Sequence, residues 1–139
     1  MPLLSRTFIK AGLIYFVVGL TMGAFYLGQS IFSLPSTVSV LYPVYIHLLT
    51  VGWLTQLIMG VIYWMFPKYS KDQPRGSADL GWAVFGLLNV GLILRAVGEP
   101  INALRPDLNL GWILAFSAIF QLIAGWLFIV NTWGRVKER

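Results

Sequence analysis

Four long apolar runs, almost free of charge in their centres, restrict the fold of this chain more than any other feature. A helix needs about 20 apolar residues to cross the ~30 Å hydrocarbon core of a bilayer. The runs predict transmembrane helices at about residues 8–28, 42–66, 80–97 and 110–133. Because they use most of the 139 residues, we expect residues 1–139 to form one all-α domain, an integral membrane four-helix bundle.

The composition agrees with a membrane location, since 58% of the residues are hydrophobic and only 11% are charged. A soluble domain needs a polar surface that such a composition does not supply. The net charge of +5 would suggest nucleic-acid binding in a soluble protein, but here the charges flank the apolar runs. We therefore interpret them as signals of membrane orientation, and we expect the lipid bilayer, not nucleic acid, as a partner.

Lysine and arginine are distributed unequally between the two sides of the predicted bundle. Eight of them lie in the N-terminus, the 67–79 loop and the C-terminal tail: Arg6, Lys10, Lys68, Lys71, Arg75, Arg135, Lys137 and Arg139. The opposite side has only Arg95 and Arg105. Because basic loops are retained in the cytoplasm, this bias predicts that both termini are cytoplasmic. We expect the basic tail from Gly134 to Arg139 to be frayed.

Cysteine is absent from the chain, and histidine occurs once, as His47. Disulfides, thiolate metal sites and a catalytic thiol are therefore excluded. The sequence contains no recognisable nucleophile–base pair, so we do not expect catalysis by this chain alone. No Asp or Glu falls within the core of a predicted helix, which counts against a proton-coupled transporter.

Four polar residues fall near the membrane midplane of the predicted helices: Thr55, Gln56, Asn89 and Gln121. A side-chain amide that faces lipid is unfavourable, so we expect these side chains to turn inward and bond across helices. Two roles are open for them. They form structural contacts between helices, or they line a path for protons or a quinone.

His47 and Arg95 are the candidate binding residues. His47 lies five residues into the second predicted helix, about 7 Å below its end. A neutral imidazole can ligate haem iron, or it can bond a carbonyl group of a neighbouring helix. Arg95 lies at a similar depth on the third helix. It can pair with Glu99, four residues later, or with an anionic group such as a haem propionate.

The second predicted helix resembles a helix of a known family. It contains YIHLLTVGW at residues 45–53 and GVIYWMFP at residues 60–67. This pattern is similar to the second transmembrane helix of subunit I in the haem-copper oxidase superfamily, which includes cytochrome c oxidases and nitric oxide reductases. The chain resembles most the short four-helix relatives found in bacteria. The resemblance implies that His47 is an axial ligand of a low-spin haem b, in a bacterial inner membrane.

The chain departs from that family in its single histidine. The oxidases use further histidines for copper and for the second haem, so this chain has no copper site and cannot reduce oxygen or nitric oxide alone. A sixth ligand for a haem bound at His47 has three possible sources: a second His47 in a symmetric homodimer, the thioether of Met22, or a partner subunit of a larger membrane complex.

The leading functional hypothesis is a small haem-binding, electron-transfer subunit of a respiratory or related membrane complex. His47 would be the axial ligand and Arg95 the propionate partner. The runner-up is a cofactor-free structural or assembly subunit, in which His47 serves only in hydrogen bonding. A small transporter or channel is the third hypothesis, and the lack of an intramembrane carboxylate counts against it.

Overall fold

The fold is all-helical in the computed structural model, which describes residues 1–71 and 74–136. It contains four long helices: α1 (Leu3–Leu27), α2 (Ser36–Met65), α3 (Ala78–Leu104) and α4 (Gly111–Trp133). Each is long and apolar enough to cross a membrane, with mean hydropathy from 1.5 for α2 to 2.3 for α4. The predicted architecture of four membrane-spanning helices is confirmed.

Helix α2 changes its geometry along its length. A 3₁₀ turn at Ser36–Val40 leads into an α-helical segment at Leu41–His47. A π-helical segment follows at Leu48–Thr55, and the α-helix resumes at Gln56–Met65. Such π-helical insertions are rare and occur often at functional sites. Here the insertion begins one residue after His47.

The helices pack as two hairpins, with α1 along α2 and α4 along α3. Glycines allow the close approach of α1 to α2. A Cβ atom on Gly19 would lie 2.9 Å from the Leu49 side chain, and one on Gly23 would lie 3.3 Å from the Tyr45 ring. On α2, a Cβ atom on Gly52 would lie 2.8 Å from both Tyr15 and Leu92. Substitution at Gly52 would therefore push α1 and α3 away from α2.

Two clusters of buried apolar side chains join the hairpins. The larger cluster draws on all four helices and consists of Leu4, Phe8, Met59, Tyr63, Val84, Leu88 and Ala124. The smaller cluster consists of Val44, Leu48 and Leu92, from α2 and α3. We call the end of the bundle where α1 begins, α2 ends and α4 ends the basic end.

Helix α3 extends to Leu104, so the predicted end of this helix near Val97 is wrong. Pro100 lacks a backbone N–H group, so the helix loses one hydrogen bond there. The helical bonds nevertheless continue beyond it, to the bond from Arg105 N to the Ile101 carbonyl.

Helices α1 and α2 begin earlier than the hydropathy pattern predicts, at Leu3 and Ser36 instead of near residues 8 and 42. The first turns of α1 include the exposed cation Arg6. Its long side chain can extend to water from within a helix, so a charge does not mark the helix boundary.

Candidate functional site

The His47 ring is held by its own helix. Its Nδ1 atom lies 2.7 Å from the carbonyl oxygen of Pro43, one turn earlier in α2. A carbonyl oxygen can only accept, so Nδ1 donates its hydrogen, and in the neutral ring Nε2 then carries the free lone pair. No hydrogen-bond partner for Nε2 occurs in residues 1–71 or 74–136. The partly buried ring therefore presents one unoccupied basic nitrogen in a fixed orientation.

The interior of the bundle beside His47 is closed. Val44 and Leu48, which flank His47 on α2, are 1% and 3% exposed, and they pack against the fully buried Leu92 of α3. With about 100° of rotation per helical residue, His47 lies at the edge of this buried face. His47 lines none of the five principal cavities of the described chain. A ligand of Nε2 would therefore approach from the outer surface of the bundle.

Arg95 and Glu99 pair along α3, as their spacing of four residues allows. Arg95 Nη2 donates to Glu99 Oε1 at 3.0 Å, and the two side chains are 25% and 15% exposed. Arg95 Nε and Glu99 Oε2 are buried atoms that have no hydrogen-bond partner within the described residues. The buried Nε is not accessible to a further group, but Arg95 Nη1 forms no hydrogen bond within the described residues and keeps donors for a second anionic group. The pairing of Arg95 with a haem propionate stays a prediction.

Met22, the candidate thioether ligand, packs against the smaller apolar cluster of Val44, Leu48 and Leu92. That position assigns its side chain a packing role between α1, α2 and α3. His47, by contrast, lies at the edge of the buried face to which that cluster belongs.

The midplane amides form a network that joins three helices. Gln56 and Asn89 exchange two hydrogen bonds, each of 3.2 Å, between α2 and α3. Tyr15 of α1 donates to Asn89 Oδ1 at 2.9 Å, and Asn89 Nδ2 also donates to the Phe85 carbonyl at 2.7 Å. The prediction that Gln56 and Asn89 bond across helices is confirmed. Because the amides satisfy each other, the network supports a structural role for them.

The other two midplane residues bond within their own helices, so the prediction of bonds across helices is wrong for them, although the half-buried Gln121 side chain does turn toward Gly91 of α3. Thr55 donates to the Thr50 carbonyl at 2.9 Å, and Gln121 donates to Ser117 at 3.1 Å. A buried hydrogen bond between α3 and α4 is made by Ser117, which donates to the Gly91 carbonyl at 2.6 Å. Sequence reasoning missed Ser117 and Tyr15 because a single hydroxyl in an apolar helix carries no distinguishing signal.

Arg135 forms a buried contact at the basic end that the sequence did not indicate. It is 0% exposed, and its guanidinium donates to the carbonyls of Pro67 at 3.1 Å, Phe66 at 2.9 Å and Tyr63 at 3.3 Å. These carbonyls end α2 and lack partners within the helix. Burial lowers the pKa of Arg135, and the positive charge of Arg75 acts in the same direction.

The predicted fraying of the tail is therefore wrong for Arg135, because this residue caps a neighbouring helix. Lys137, Glu138 and Arg139 lie outside the described residues.

A second polar contact holds the loop before α3 against α4. Asn131 accepts from the Ser77 backbone N–H at 2.9 Å and donates to the Ser77 carbonyl at 3.1 Å. The Ser77 hydroxyl in turn caps α3 by accepting from Leu80 N at 3.3 Å. Tyr63 also donates to the Ser77 carbonyl, at 3.2 Å. Hydrogen bonds between side chains and backbone groups thus hold α2, α3 and α4 together at the basic end.

No protein-family model matches this chain, and comparison with curated proteins and with solved structures finds no match. The similarity of α2 to a helix of the haem-copper oxidase superfamily consequently stays a prediction based on residues 45–53 and 60–67.

Proposed function

We propose that this protein is a small haem-binding, electron-transfer subunit of a membrane complex, with His47 as an axial ligand of a haem b iron. The observation that carries the proposal is the bond between His47 Nδ1 and the Pro43 carbonyl, which leaves Nε2 free. Ligating histidines ordinarily donate their other ring N–H in this way, because the bond fixes the ring and raises its basicity. When bound, haem would supply one-electron transfer.

A haem fits the available ligands better than a bare metal ion does. Within the described residues, no three His, Asp or Glu side chains come together as a metal-binding group. The porphyrin supplies the equatorial ligands of haem iron, so the protein needs to provide only axial ones. His47 can provide one of these.

The second axial ligand would come from another chain. Because the interior beside His47 is closed by Val44, Leu48 and Leu92, a haem on Nε2 would lie against the outer surface of the bundle. In a homodimer, the two-fold axis would place a second His47 opposite the first. A partner subunit of a larger complex would serve equally. Arg95 would hold a propionate with donors that Glu99 does not use.

An absorption spectrum tests this proposal. Full-length protein purified in mild detergent should show a Soret band, and His47→Ala should abolish it. Thr50→Ala is the matched control, because Thr50 also bonds the carbonyl four residues earlier in α2 and is exposed. A homodimeric site predicts one haem for every two chains. Colourless wild-type protein, or a His47→Ala variant that keeps its spectrum, would contradict the proposal.

A cofactor-free structural or assembly subunit is the second candidate. The closed amide network of Tyr15, Gln56 and Asn89 favours it, because these intramembrane polar groups are occupied by one another. Iron-free protein that still co-purifies with an oxidase-like membrane complex would support this candidate.

The membrane and orientation are part of the same proposal: a bacterial inner membrane, with both termini cytoplasmic. The charge distribution supports it. Because the chain has no cysteine, single substitutions can be labelled with a membrane-impermeant maleimide in intact spheroplasts. Asp107→Cys should react and Lys71→Cys should not. The opposite result would reverse the orientation.

A further inference from the structure

A cationic cavity lies where α2 ends at the basic end. Its volume is about 690 Å³, and its walls include Trp64, Phe66, Lys68, Lys71 and Arg75. Trp64 belongs to the last turn of the membrane-spanning helix, whereas the three cations follow in the polar loop. The cavity therefore has an aromatic wall at the end of the membrane-spanning helix and a positively charged opening formed by the loop.

The three cations have no anionic partner in the part of the chain that the structure describes. The ion pairs there are Arg95–Glu99 and Arg105–Asp107, which lie elsewhere. Asp72, in the same loop, lies outside the described residues. If Asp72 is counted, the segment 67–76 still has three cations and one acid, a net charge of +2. On either count, the loop at the opening of the cavity has a net positive charge.

The cavity is held on both sides by buried contacts. Arg135 binds the carbonyls of Phe66 and Pro67, which form one wall. On the other side, Asn131 holds the Ser77 backbone, two residues after Arg75. Because these contacts fix the backbone at both ends of the loop, less backbone ordering is needed when a ligand binds, which lowers the entropic cost of binding.

The wall nearest the bilayer is exposed and apolar. Trp64 is 47% exposed and Met65 is 67% exposed, at the end of α2. Tryptophan at this depth sits at the level of lipid headgroups, and basic residues just beyond it attract anionic lipid. A phospholipid has the matching arrangement, with acyl chains beside the apolar wall and a phosphate at the level of the loop cations.

From these observations we infer that the cavity binds the headgroup of an anionic phospholipid, with the phosphate held by Lys68, Lys71 and Arg75. The inference is independent of the haem proposal, because it uses the opposite end of the bundle from His47. It also assigns the loop a binding role in addition to its contribution to membrane orientation.

Native mass spectrometry of the full-length protein in detergent, titrated with phosphatidylglycerol or phosphatidylcholine, tests this inference. We expect preferential binding of phosphatidylglycerol to the wild type. Lys68→Gln with Lys71→Gln should weaken that binding about 30-fold, from the attraction of each cation to an anionic headgroup. Lys68→Arg with Lys71→Arg should bind phosphatidylglycerol as the wild type does, since both positive charges remain.

Arg6→Gln with Lys10→Gln is the matched control, because it removes two exposed cations from the same end of the bundle. It should leave phosphatidylglycerol binding unchanged. Equal losses in the two double variants would overturn the inference, because they would indicate diffuse attraction instead of a site. Equal binding of the two lipids, or displacement of phosphatidylglycerol by excess inorganic phosphate, would overturn it as well.

Discussion

The bonds between Gln56 and Asn89 should contribute measurably to the stability of the bundle. The two amides exchange a pair of hydrogen bonds across α2 and α3, and Gln56 is 0% exposed. Asn89→Ala would remove both of these bonds and the bond from Tyr15. It would also leave the Gln56 amide buried without a partner.

The magnitude follows from measured bonds in membrane proteins. Interhelical hydrogen bonds average ~0.6 kcal/mol and reach ~1.7 kcal/mol. Three lost bonds therefore predict that Asn89→Ala lowers the free energy of unfolding by about 2 kcal/mol, with an upper bound of about 5 kcal/mol. The two bonds shared by Gln56 and Asn89 predict a coupling of about 1.2 kcal/mol in a double-mutant cycle.

Reversible unfolding in mixed micelles, followed by circular dichroism, measures these quantities for the wild type, Gln56→Ala, Asn89→Ala and the double variant. The double variant should be less destabilised than the two single variants added together. Gln56→Ala combined with Gln121→Ala is the control, because these residues share no hydrogen-bond partner, and it should be additive. Additivity of the Gln56 and Asn89 substitutions within ~0.5 kcal/mol would refute the reasoning.

Three further predictions concern the glycines, Arg135 and the exposed loop. Gly76→Ala should lower the melting temperature, because Gly76 has φ +76° and its new methyl group would collide with Asn131. Gly86→Ala, which has nothing within 4 Å, should be neutral or raise stability by up to ~1 kcal/mol, and thermal unfolding compares the two. Arg135→Gln should cost about 1–3 kcal/mol by the same measurement, since buried carbonyls lose their donor; a stability equal to wild type would rule out the capping role. The hydrogen bonds from Arg105 hold the pKa of Asp107 below its usual 3.8. Because the pKa of Asp107 is lower in the folded than in the unfolded protein, the Arg105–Asp107 pair slightly stabilises the fold at pH values above the unfolded pKa. This stabilisation is lost as the pH falls through the folded pKa. Asp107→Asn should remove this dependence of stability on acidic pH, as measured by thermal unfolding at several pH values. The same pH dependence in the variant as in the wild type would contradict the prediction.

The inward orientation of Gln56 and Asn89 could be predicted because an amide that faces lipid is unfavourable. The partners could not be predicted in the same way. Thr55 and Gln121 belong to the same class of residue, yet each bonds within its own helix. The residue on the facing helix decides between the outcomes for the two glutamines. Gln56 faces the amide of Asn89, whereas Gln121 lies against Gly91, which has no side chain.

At the candidate site, contacts within one helix can be predicted from the sequence, whereas contacts between helices cannot. The bond from His47 to Pro43 spans one helical turn, so the order of residues in α2 is enough to produce it. Whether the other ring nitrogen is free depends on the tertiary structure around it, in which the adjoining face of α2 packs against Leu92 of α3. Sequence reasoning could therefore select His47 as a candidate, but it could not assign the direction from which a ligand would approach.

Four helices of membrane-spanning length follow from the order of residues alone, because in lipid each apolar run must satisfy its backbone hydrogen bonds within itself. The contacts at the basic end do not follow from the order of residues alone. Arg135 and Pro67 are 68 positions apart, and they meet only because α4 packs along α3 and ends beside α2. Backbone bonding within a helix is a local property of the chain, whereas the capping of α2 by Arg135 depends on packing among distant segments, which only the tertiary structure decides.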